Sequence, residues 1–380
     1  MVSAPVPAAL ARAGAVLTID LAAVAANWRS LVARAPGAEV SAVVKADAYG
    51  LGAAPVARAL AAAGCKTFFV AHLEEGAALR DALPEARIFV LHGPNPGTEA
   101  EFAAFGLIPV LNDIVQVKNW AAFAKACGAA QPAAIQVDTG MTRLGLSRAE
   151  FDALTADKTA IAAIAPALLM SHFACADTPA HPQNAQQIER FSGFVRSLPG
   201  VKAALSASSG IFLGPAAHFG LVRPGIALYG GNPTEAAENP MKPVIRLSAR
   251  VVHVQDIDAP QRVGYGATYA APGPGRLATV AIGYADGFLR SIGTGAAETP
   301  VFADAKGAKA RLVGRISMDL ATYDIGAAPA GSIVPGDTID VIGKYASIDG
   351  LAKAGGTISY ELLTRLGPRL HRIYTNGAAP

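Results

Sequence analysis

The strongest constraint on the fold is an alternation of short apolar segments with amphipathic stretches. Apolar stretches rich in Val, Ile and Ala predict strands, and the stretches between most of them predict helices. The predicted strands are 40–45, 67–72, 87–92, 108–111, 134–138, 167–172, 203–207 and 221–229. Strands alternating with helices in this number predict an α/β fold, an N-terminal (β/α)8 barrel of the TIM type, whose functional residues lie at the carboxyl ends of the strands.

After about Pro240 the pattern changes to β-branched strands and turns, and only 359–365 is predicted to be helical. The predicted strands of this part are 245–257, 277–284, 310–318 and 338–342. We therefore expect two domains, the barrel in 15–240 and a C-terminal, mainly β domain in 241–380. The first strand, 15–19, is expected to join the second domain.

The composition is typical of a well-packed globular protein and argues against nucleic acid and membrane as partners. Apolar residues make up 52% of the 380 residues and charged residues 16%, and the net charge of +3 is spread without basic runs, which argues against nucleic-acid binding. The N-terminus through Gly14 lacks the features of a signal peptide, and no apolar run suggests a membrane span. Cys65, Cys127 and Cys175 are far apart and lack metal-ligand spacing, so we expect a cytoplasmic protein without a metal site.

Lys45 ends the first predicted strand of the barrel, where a lysine is either solvated or chemically used. The segment reads Val43-Val44-Lys45-Ala46-Asp47-Ala48-Tyr49-Gly50, and an Ala-rich helix is predicted from about 53 to 63. A lysine at the tip of a buried strand loses hydration, so its amine either reaches water or serves as a nucleophile or base. By geometry alone the solvated lysine is the commoner case.

The segment from Val44 to Gly50 resembles the lysine segment of alanine racemases, which bind pyridoxal 5′-phosphate (PLP). Later segments match the same family in order and approximate spacing over nearly the whole chain. The resemblance implies an isomerase that interconverts L-alanine and D-alanine, in which Lys45 binds PLP and acts as a base on one face of the substrate. It also implies a role in D-alanine supply for peptidoglycan or in alanine catabolism, and the sequence does not decide between them.

Two further segments resemble the cofactor-binding segments of the family. Ala207-Ser208-Ser209-Gly210 is similar to the phosphate-binding segment, and Val222-Arg223-Pro224-Gly225-Ile226 to the segment of the eighth strand. The residues that the resemblance assigns to PLP are Lys45, Tyr49, Ser208, Arg223, Gly225, Ile226 and Tyr360. Arg223 would face the pyridine nitrogen and leave it unprotonated, because a guanidinium neither accepts a proton nor readily gives one up. Taken alone, a Ser-Ser-Gly segment is more often a turn, and an arginine there more often a rim ion pair.

A second base is expected in the β domain. Racemisation needs proton transfer on both faces of a planar carbon, so a single lysine is insufficient. Gly264-Tyr265-Gly266 matches the family segment that carries the second base, and Ser171-His172-Phe173 matches the segment that supports it. The resemblance implies that Tyr265 of the partner subunit acts opposite Lys45, that His172 links it to Arg223, and that a homodimer shares its active sites. Without the resemblance, Tyr265 would be a turn aromatic and His172 a core histidine.

A third group of residues is expected to bind the substrate. Asp138-Thr139-Gly140-Met141-Thr142-Arg143 is similar to the family segment whose arginine binds the substrate carboxylate. The resemblance also implies a backbone contact from Met318 and a pocket wall from Tyr284. Many members carry a carbamylated lysine where this chain has Gln136, and a glutamine forms no carbamate. We expect the neutral Gln136 amide to orient Arg143, alone or with a bound anion.

Several alternative interpretations remain open. A looser pocket around Tyr284 and Tyr360 would permit a serine racemase or one of broader specificity. A noncatalytic PLP-binding carrier shares the barrel but is expected to lack the second domain and Tyr265. A PLP decarboxylase would need a cysteine-containing acid segment in the second domain, and a barrel aldolase would use a lysine without Ser208 and Arg223.

Overall fold

The computed structural model describes residues 8–234, 238–295 and 298–377. Its α-helices are α1 (Ala8–Arg12), α2 (Leu21–Arg34), α3 (Lys45–Gly50), α4 (Ala53–Ala62), α5 (Leu73–Ala82), α6 (Glu99–Ala104), α7 (Ile114–Ala126), α8 (Arg148–Ala156), α9 (Lys158–Ile164), α10 (Gln183–Ser197), α11 (Arg290–Gly295), α12 (Ile348–Ala354) and α13 (Ser359–Arg365). Its strands are β1 (Ala15–Asp20), β2 (Glu39–Val40), β3 (Ala42–Val43), β4 (Thr67–Val70), β5 (Arg87–Val90), β6 (Ile108–Leu111), β7 (Ala133–Gln136), β8 (Pro166–Met170), β9 (Ala203–Ala204), β10 (Leu221–Val222), β11 (Ile245–Ile257), β12 (Gln261–Val263), β13 (Tyr269–Ala271), β14 (Gly275–Val280), β15 (Phe302–Ala305), β16 (Ala308–Val313), β17 (Ala321–Asp324), β18 (Thr338–Ile342) and β19 (His371–Thr375).

These elements form two compact units. Of the described residues, the barrel unit comprises 24–228, 232–234 and 238–241, and the β unit comprises 8–23, 229–231, 242–295 and 298–377. Within the described part of the chain, no helix combines the length and the apolar character that a membrane span requires.

Parallel strands close into a (β/α)8 barrel in the barrel unit. Strands β3 to β9 form one sheet in sequence order, and β10 pairs with β2. β2 and β3 are two parts of one strand interrupted at Ser41, whose N–H donates to Val222 O at 3.0 Å. β9 and β10 are joined just beyond β9, where Arg223 N donates to Ser206 O at 2.8 Å. The predicted barrel is thereby confirmed, and its apolar strand segments are buried because helices cover the outside of the sheet.

The β unit is built around β11, a strand of 13 residues that exchanges partners along its length. Its first half pairs with β18 and its second half with β14, which closes the antiparallel order β14-β17-β16-β15-β18-β11 into a ring. β1 lies antiparallel to β11, with Ala15 opposite Ala249, and parallel to β19, with Val16 opposite His371. The predicted mainly β character of the C-terminal part is confirmed.

Three local predictions are wrong. The first barrel strand ends at Val43, so Lys45 begins α3 instead of ending a strand. The eighth strand, predicted as 221–229, is only two residues long, because Pro224 has no N–H for a ladder and a 3-10 turn follows over Ile226–Tyr229. The β unit also contains α11 and α12, which the sequence analysis missed; α12 is capped by Ser347, whose Oγ accepts from Gly350 N at 3.0 Å.

A partly exposed cluster of charged side chains joins the amino-terminal ends of several barrel strands. The Glu39 carboxylate accepts from Thr67 Oγ1 at 2.5 Å, from Arg87 at 2.5 Å and from Lys202 Nζ at 2.8 Å, so one side chain joins four strand starts. Partial burial opposes its ionisation, but the hydrogen bonds from Lys202, Thr67 and Arg87 outweigh burial and lower the Glu39 pKa to about 2. Residues at this end of a barrel serve stability.

Substitution Glu39→Gln is expected to lower the free energy of unfolding by about 1–3 kcal/mol at pH 7, because three donors lose an ionised acceptor. The wild-type carboxylate has a lower pKa folded than unfolded, so its contribution is complete above about pH 4.5 and is lost as the pH falls toward 2. Urea unfolding followed by circular dichroism at pH 7 and pH 3 measures both effects. Exposed Glu101 provides the control Glu101→Gln, and equal stability of the Glu39→Gln and Glu101→Gln variants at pH 7 would contradict the prediction.

Candidate active site

Lys45 lies at the carboxyl end of the barrel strands, in an environment that disfavours a charged amine. Burial is the largest cause that lowers its pKa, and the guanidinium groups of Arg143 and Arg223 lower it further, whereas the Glu75 carboxylate raises it. Because these effects act through space, Lys45, Arg143 and Arg223 lie close enough to influence one another. A lowered pKa makes the amine easier to deprotonate, which favours a role as a nucleophile or base.

The turn that follows Lys45 is left-handed. Ala46, Asp47, Ala48 and Tyr49 have φ angles of 52°, 54°, 53° and 58°. Such values are rare outside glycine, and four in succession make one turn of left-handed helix. The turn directs Tyr49 into the barrel, where it is 6% exposed.

An anion cradle lies at the ends of the last two barrel strands. Ser208, which is 1% exposed, accepts at Oγ from Gly225 N at 2.9 Å and from Ala227 N at 3.2 Å. A Cβ at position 225 would collide with the Tyr49 hydroxyl, so only glycine lets this backbone approach so closely. Both N–H groups are bound to Ser208 Oγ here, and backbone N–H groups beside a hydroxyl are donors of the kind that suits an anion. The sequence analysis did not name Ala227, and Ile226 lies between the two amides that bind Ser208.

Arg223 and His172 lie just after the carboxyl ends of β10 and β8. Arg223 is 4% exposed and donates to Ser171 O and, at 3.1 Å, to Leu205 O, while its Nε–H has no partner among the described residues. Burial lowers the pKa of Arg223 to about 10, still above neutral pH. Burial also lowers the pKa of His172 to about 3, with help from the charges of Arg223, Arg143 and Lys45, so the imidazole is neutral at physiological pH. In the described part of the chain no hydrogen bond joins His172 to Arg223.

A buried amide on α10 positions the loops around these residues. Gln187 is fully buried; its Oε1 accepts from Ala174 N at 2.9 Å, and its Nε2 donates to His172 O at 2.8 Å and to Thr139 Oγ1 at 3.0 Å. Thr139 Oγ1 in turn lies 2.8 Å from Ser171 Oγ. One helix side chain therefore links the loop of His172 to the loop that leads to Arg143. Nothing in the local sequence pattern of α10 marks Gln187 for this role.

Arg143 follows a tight turn organised by Asp138. Asp138 Oδ1 accepts from the backbone N–H groups of 140–142 at 2.8, 3.0 and 3.1 Å. The turn ends in a left-handed residue, Thr142, with φ of 56°, and leaves Arg143 exposed. Gln136 is 8% exposed, and among the described residues no hydrogen bond joins its amide to Arg143. Orientation of Arg143 by Gln136 therefore stays a prediction.

In the β unit, Tyr265 lies at the tip of the β12–β13 hairpin. Gly264 and Gly266 flank it with φ of 73° and 72°, left-handed values that explain the Gly-Tyr-Gly sequence. The hairpin stands on an apolar cluster that includes Val263, with Tyr269 packed against it. Tyr265 itself is 70% exposed. The packed hairpin thus presents the phenol of Tyr265 to solvent.

Tyr284 and Met318 lie on two segments of the β unit that are bound to each other. Tyr284 N donates to Ser317 O at 3.1 Å, and the next residue donates to Met318 O at 3.0 Å. Arg369 bridges the same segments, with Asp286 at 3.0 Å and Asp319 at 2.8 Å. Met318 and Tyr284 are exposed, as is Tyr360 on α13. Arg369 was not anticipated from the sequence, although two aspartates in the matched segments signalled a cationic partner.

The structure thus gathers one set of predicted residues in each unit. The set at the barrel mouth is Lys45, Tyr49, Arg143, His172, Ser208, Arg223, Gly225 and Ile226. The set in the β unit is Tyr265, Tyr284, Met318 and Tyr360. The protein therefore combines a closed barrel with a closed β unit. The barrel carries a partly buried lysine and the cradle around Ser208 at the carboxyl ends of its strands.

Comparison with known proteins identifies the family. The family model described as alanine racemase, N-terminal domain, matches residues 19–233, and the model described as alanine racemase, C-terminal domain, matches residues 244–374. The chain belongs to the alanine racemase family.

Individual relatives cover nearly the full chain. An alanine racemase of Rhodospirillum rubrum is 50% identical over 96% of this chain and 96% of its own length. A catabolic alanine racemase of Mesorhizobium japonicum is 48% identical over 98% of this chain and 96% of its own length. The crystal structure of alanine racemase from Bartonella henselae with covalently bound pyridoxal phosphate has a TM-score of 0.88 at 38% identity, covering 95% of this chain and 99% of that one.

Proposed function

We propose that the chain interconverts L-alanine and D-alanine with PLP bound through Lys45. The observation that carries the proposal is the environment of Lys45 in a member of the alanine racemase family: a partly buried amine with a lowered pKa at the mouth of the barrel. Lowering the pKa of an amine favours its uncharged form, which is the form that bonds to an aldehyde and accepts a proton. The Bartonella henselae relative with covalently bound pyridoxal phosphate supports the choice of cofactor.

Two observations at the barrel mouth fit PLP. The Nε–H of buried Arg223, which has no partner among the residues that the structure describes, is available to a ring nitrogen, and the cradle around Ser208 suits a phosphate. The residues proposed to hold the cofactor are Lys45, Tyr49, Ser208, Arg223, Gly225, Ile226 and Tyr360. When bound, PLP supplies an electron-withdrawing ring that makes the substrate Cα hydrogen acidic.

Arg223 and His172 set the charge around the ring nitrogen. A guanidinium is only a hydrogen-bond donor and keeps its proton at neutral pH, so Arg223 leaves that nitrogen unprotonated. This limits electron withdrawal and discourages transamination. Neutral His172 can accept a hydrogen bond from Arg223 and donate one to Tyr265 of the partner subunit.

Two bases divide the proton transfers. Lys45 removes or returns the Cα proton on one face, and Tyr265 of the partner subunit acts on the other. The exposed hairpin tip of Tyr265 supports a role at an interface between two copies of the chain. We therefore propose a homodimer in which each active site combines the barrel of one subunit with the β domain of the other.

Arg143 is proposed to bind the substrate carboxylate through its forked guanidinium. The backbone of Met318 adds a contact, and Tyr284 keeps the pocket small enough for alanine. We propose that the uncharged Gln136 amide orients Arg143 without a carbamate. Intact-mass spectrometry and peptide mapping of this segment should find no carbamate, and detection of one would contradict the assignment.

The proposed domains are 15–240 for the barrel, with 15–19 assigned to the second domain, and 241–380 for the C-terminal domain; 235–237, 296–297 and 378–380 lie outside the described residues. The free cysteines Cys65, Cys127 and Cys175 suit the reducing cytoplasm, which we propose as the location. D-alanine made there would serve peptidoglycan synthesis, and the reverse reaction would serve alanine catabolism.

Chiral chromatography of L-alanine incubated with the purified, PLP-loaded protein tests the proposed reaction. The expected product is near-racemic alanine, with serine converted more slowly. Retention of pure L-alanine by a protein that has bound PLP would refute the alanine assignment and direct the assay to serine and other amino acids.

A further inference from the structure

The left-handed turn after Lys45 needs an external stabiliser. The left-handed conformation is unfavourable for a non-glycine residue, and four such residues follow one another from Ala46 to Tyr49. Strained segments of this kind persist only where the surrounding structure holds them in place. Asp47 contributes from within, since its Oδ1 accepts from Ala53 N at 2.6 Å.

Glu75 holds the turn from the neighbouring loop. Its Oε1 accepts from Ala46 N at 2.7 Å, and its Oε2 accepts from Ala71 N at 2.7 Å and from His72 N at 3.2 Å. Ala46 N is the first amide after Lys45, and Ala71 and His72 connect β4 to α5. One carboxylate thus fastens the start of the strained turn to the end of the adjacent barrel strand through charge-assisted hydrogen bonds.

We propose that Glu75 is a positioning residue for Lys45. Glu75 fixes the backbone next to the reactive amine and supplies a compensating negative charge beside it. The proposal rests on the proposed role of Lys45 and extends it to a residue on a different barrel loop. The amine stands among cations, since Arg143 and Arg223 both lower its pKa, and Glu75 is the anion that opposes them. A displaced turn would move the amine relative to both the cofactor and the substrate.

Glu75 also belongs to the capping box of α5, so the alternative role is helix capping alone. Its neighbour Glu74 separates the two roles. Glu74 is exposed in the same first turn of α5 and makes no hydrogen bond to the turn after Lys45 within the described residues. Glu74→Gln removes the same charge from the same helix end without touching that turn.

The experiment compares Glu75→Gln with Glu74→Gln in the full-length, PLP-loaded protein. Hydrogen–deuterium exchange measured by mass spectrometry on peptides spanning 43–52 reports the turn, and steady-state kinetics with alanine report its consequence. For Glu75→Gln we expect at least about tenfold faster exchange in 43–52, because the new amide nitrogen is a donor facing donors. Misplacement of a catalytic group predicts a kcat lower by about 10- to 100-fold with KM within about twofold. For Glu74→Gln we expect wild-type exchange and kcat.

Wild-type exchange in 43–52 together with wild-type kcat in Glu75→Gln would overturn the proposal. A lower melting temperature with exchange unchanged in 43–52 would also overturn it and leave capping as the role of Glu75. If Glu75→Gln does not fold, Glu75→Asp is measured in the same way. Aspartate keeps the charge but is one methylene shorter, so we again expect faster exchange in 43–52 and a lower kcat. Exchange does not depend on turnover, so failure of the wild-type protein to racemise alanine would refute the proposed function separately from this inference.

Discussion

Lys45→Ala is expected to lower racemisation of alanine by at least about 10³-fold, because the variant loses both the covalent attachment of the cofactor and one of the two bases. The cofactor absorbance of the purified protein should change with it, since PLP then binds only through non-covalent contacts such as those of Ser208 and Arg223. Chiral chromatography measures the rate, and the absorbance spectrum reports the cofactor.

Lys66→Ala is the matched control for Lys45→Ala. Lys66 is exposed and immediately precedes β4, at the opposite end of the strand from the barrel mouth. Its removal should leave both the rate and the spectrum unchanged. A Lys45→Ala variant with the wild-type rate would show that the amine takes no part in the reaction.

Tyr265→Phe is expected to lower kcat by about 10²- to 10⁴-fold while leaving cofactor binding intact, because it removes one proton-transfer group and none of the residues proposed to hold the cofactor. In deuterium oxide this variant should exchange the Cα hydrogen of one enantiomer faster than it inverts that enantiomer. The remaining base, Lys45, can remove and return a proton on its own face only. Mass spectrometry of each separated enantiomer measures exchange and inversion together.

Tyr269→Phe controls for loss of a phenol hydroxyl in the same hairpin, because Tyr269 packs against the apolar cluster of the β unit instead of standing at the tip. It should keep wild-type kcat and symmetric exchange. Equal loss of exchange for both enantiomers in Tyr265→Phe would contradict the assignment of two bases to two faces.

Mixing the two inactive variants tests the shared site. Random reassociation of Lys45→Ala and Tyr265→Phe subunits makes half of the dimers mixed, and each mixed dimer has one site with both bases, so about a quarter of wild-type activity should return. No recovery in mixed dimers confirmed by native mass spectrometry would mean that Lys45 and Tyr265 act within one chain.

The sequence was sufficient for the architecture because periodicity is a local property. Apolar runs separated by amphipathic segments predicted the barrel strands, and β-branched strands predicted the β unit. Two helices escaped detection for a local reason as well. In α12, which has only seven residues, Gly350 lowers helix propensity, although Ser347 and Gly355 are capping signals at its two ends.

The sequence predicted which residues belong to the site, but it did not predict the backbone conformation and the long-range contacts that position them. The segments around Lys45, Ser208 and Arg223 marked chemically distinctive side chains, but the handedness of the turn after Lys45 is invisible in Ala-Asp-Ala-Tyr, which contains no glycine. Glu75 lies in an ordinary acidic first helical turn, and its function depends on a loop that is distant in sequence. Such contacts follow from barrel closure, which no local pattern encodes.

The pairing of β1 sets an order on folding during synthesis. β1 carries Leu17 and Ile19, both fully buried in the finished β unit, yet its parallel partner β19 begins roughly 350 residues later. At a translation rate of about 5–20 residues per second, β1 waits roughly 20–70 s for that partner. The barrel unit is synthesised before then, and β11, the antiparallel partner of β1, follows it directly, so one edge of β1 stays unpaired until β19 is made. An open strand edge of this kind can pair with other chains, so we expect chaperones to protect the β19 side of β1 during synthesis.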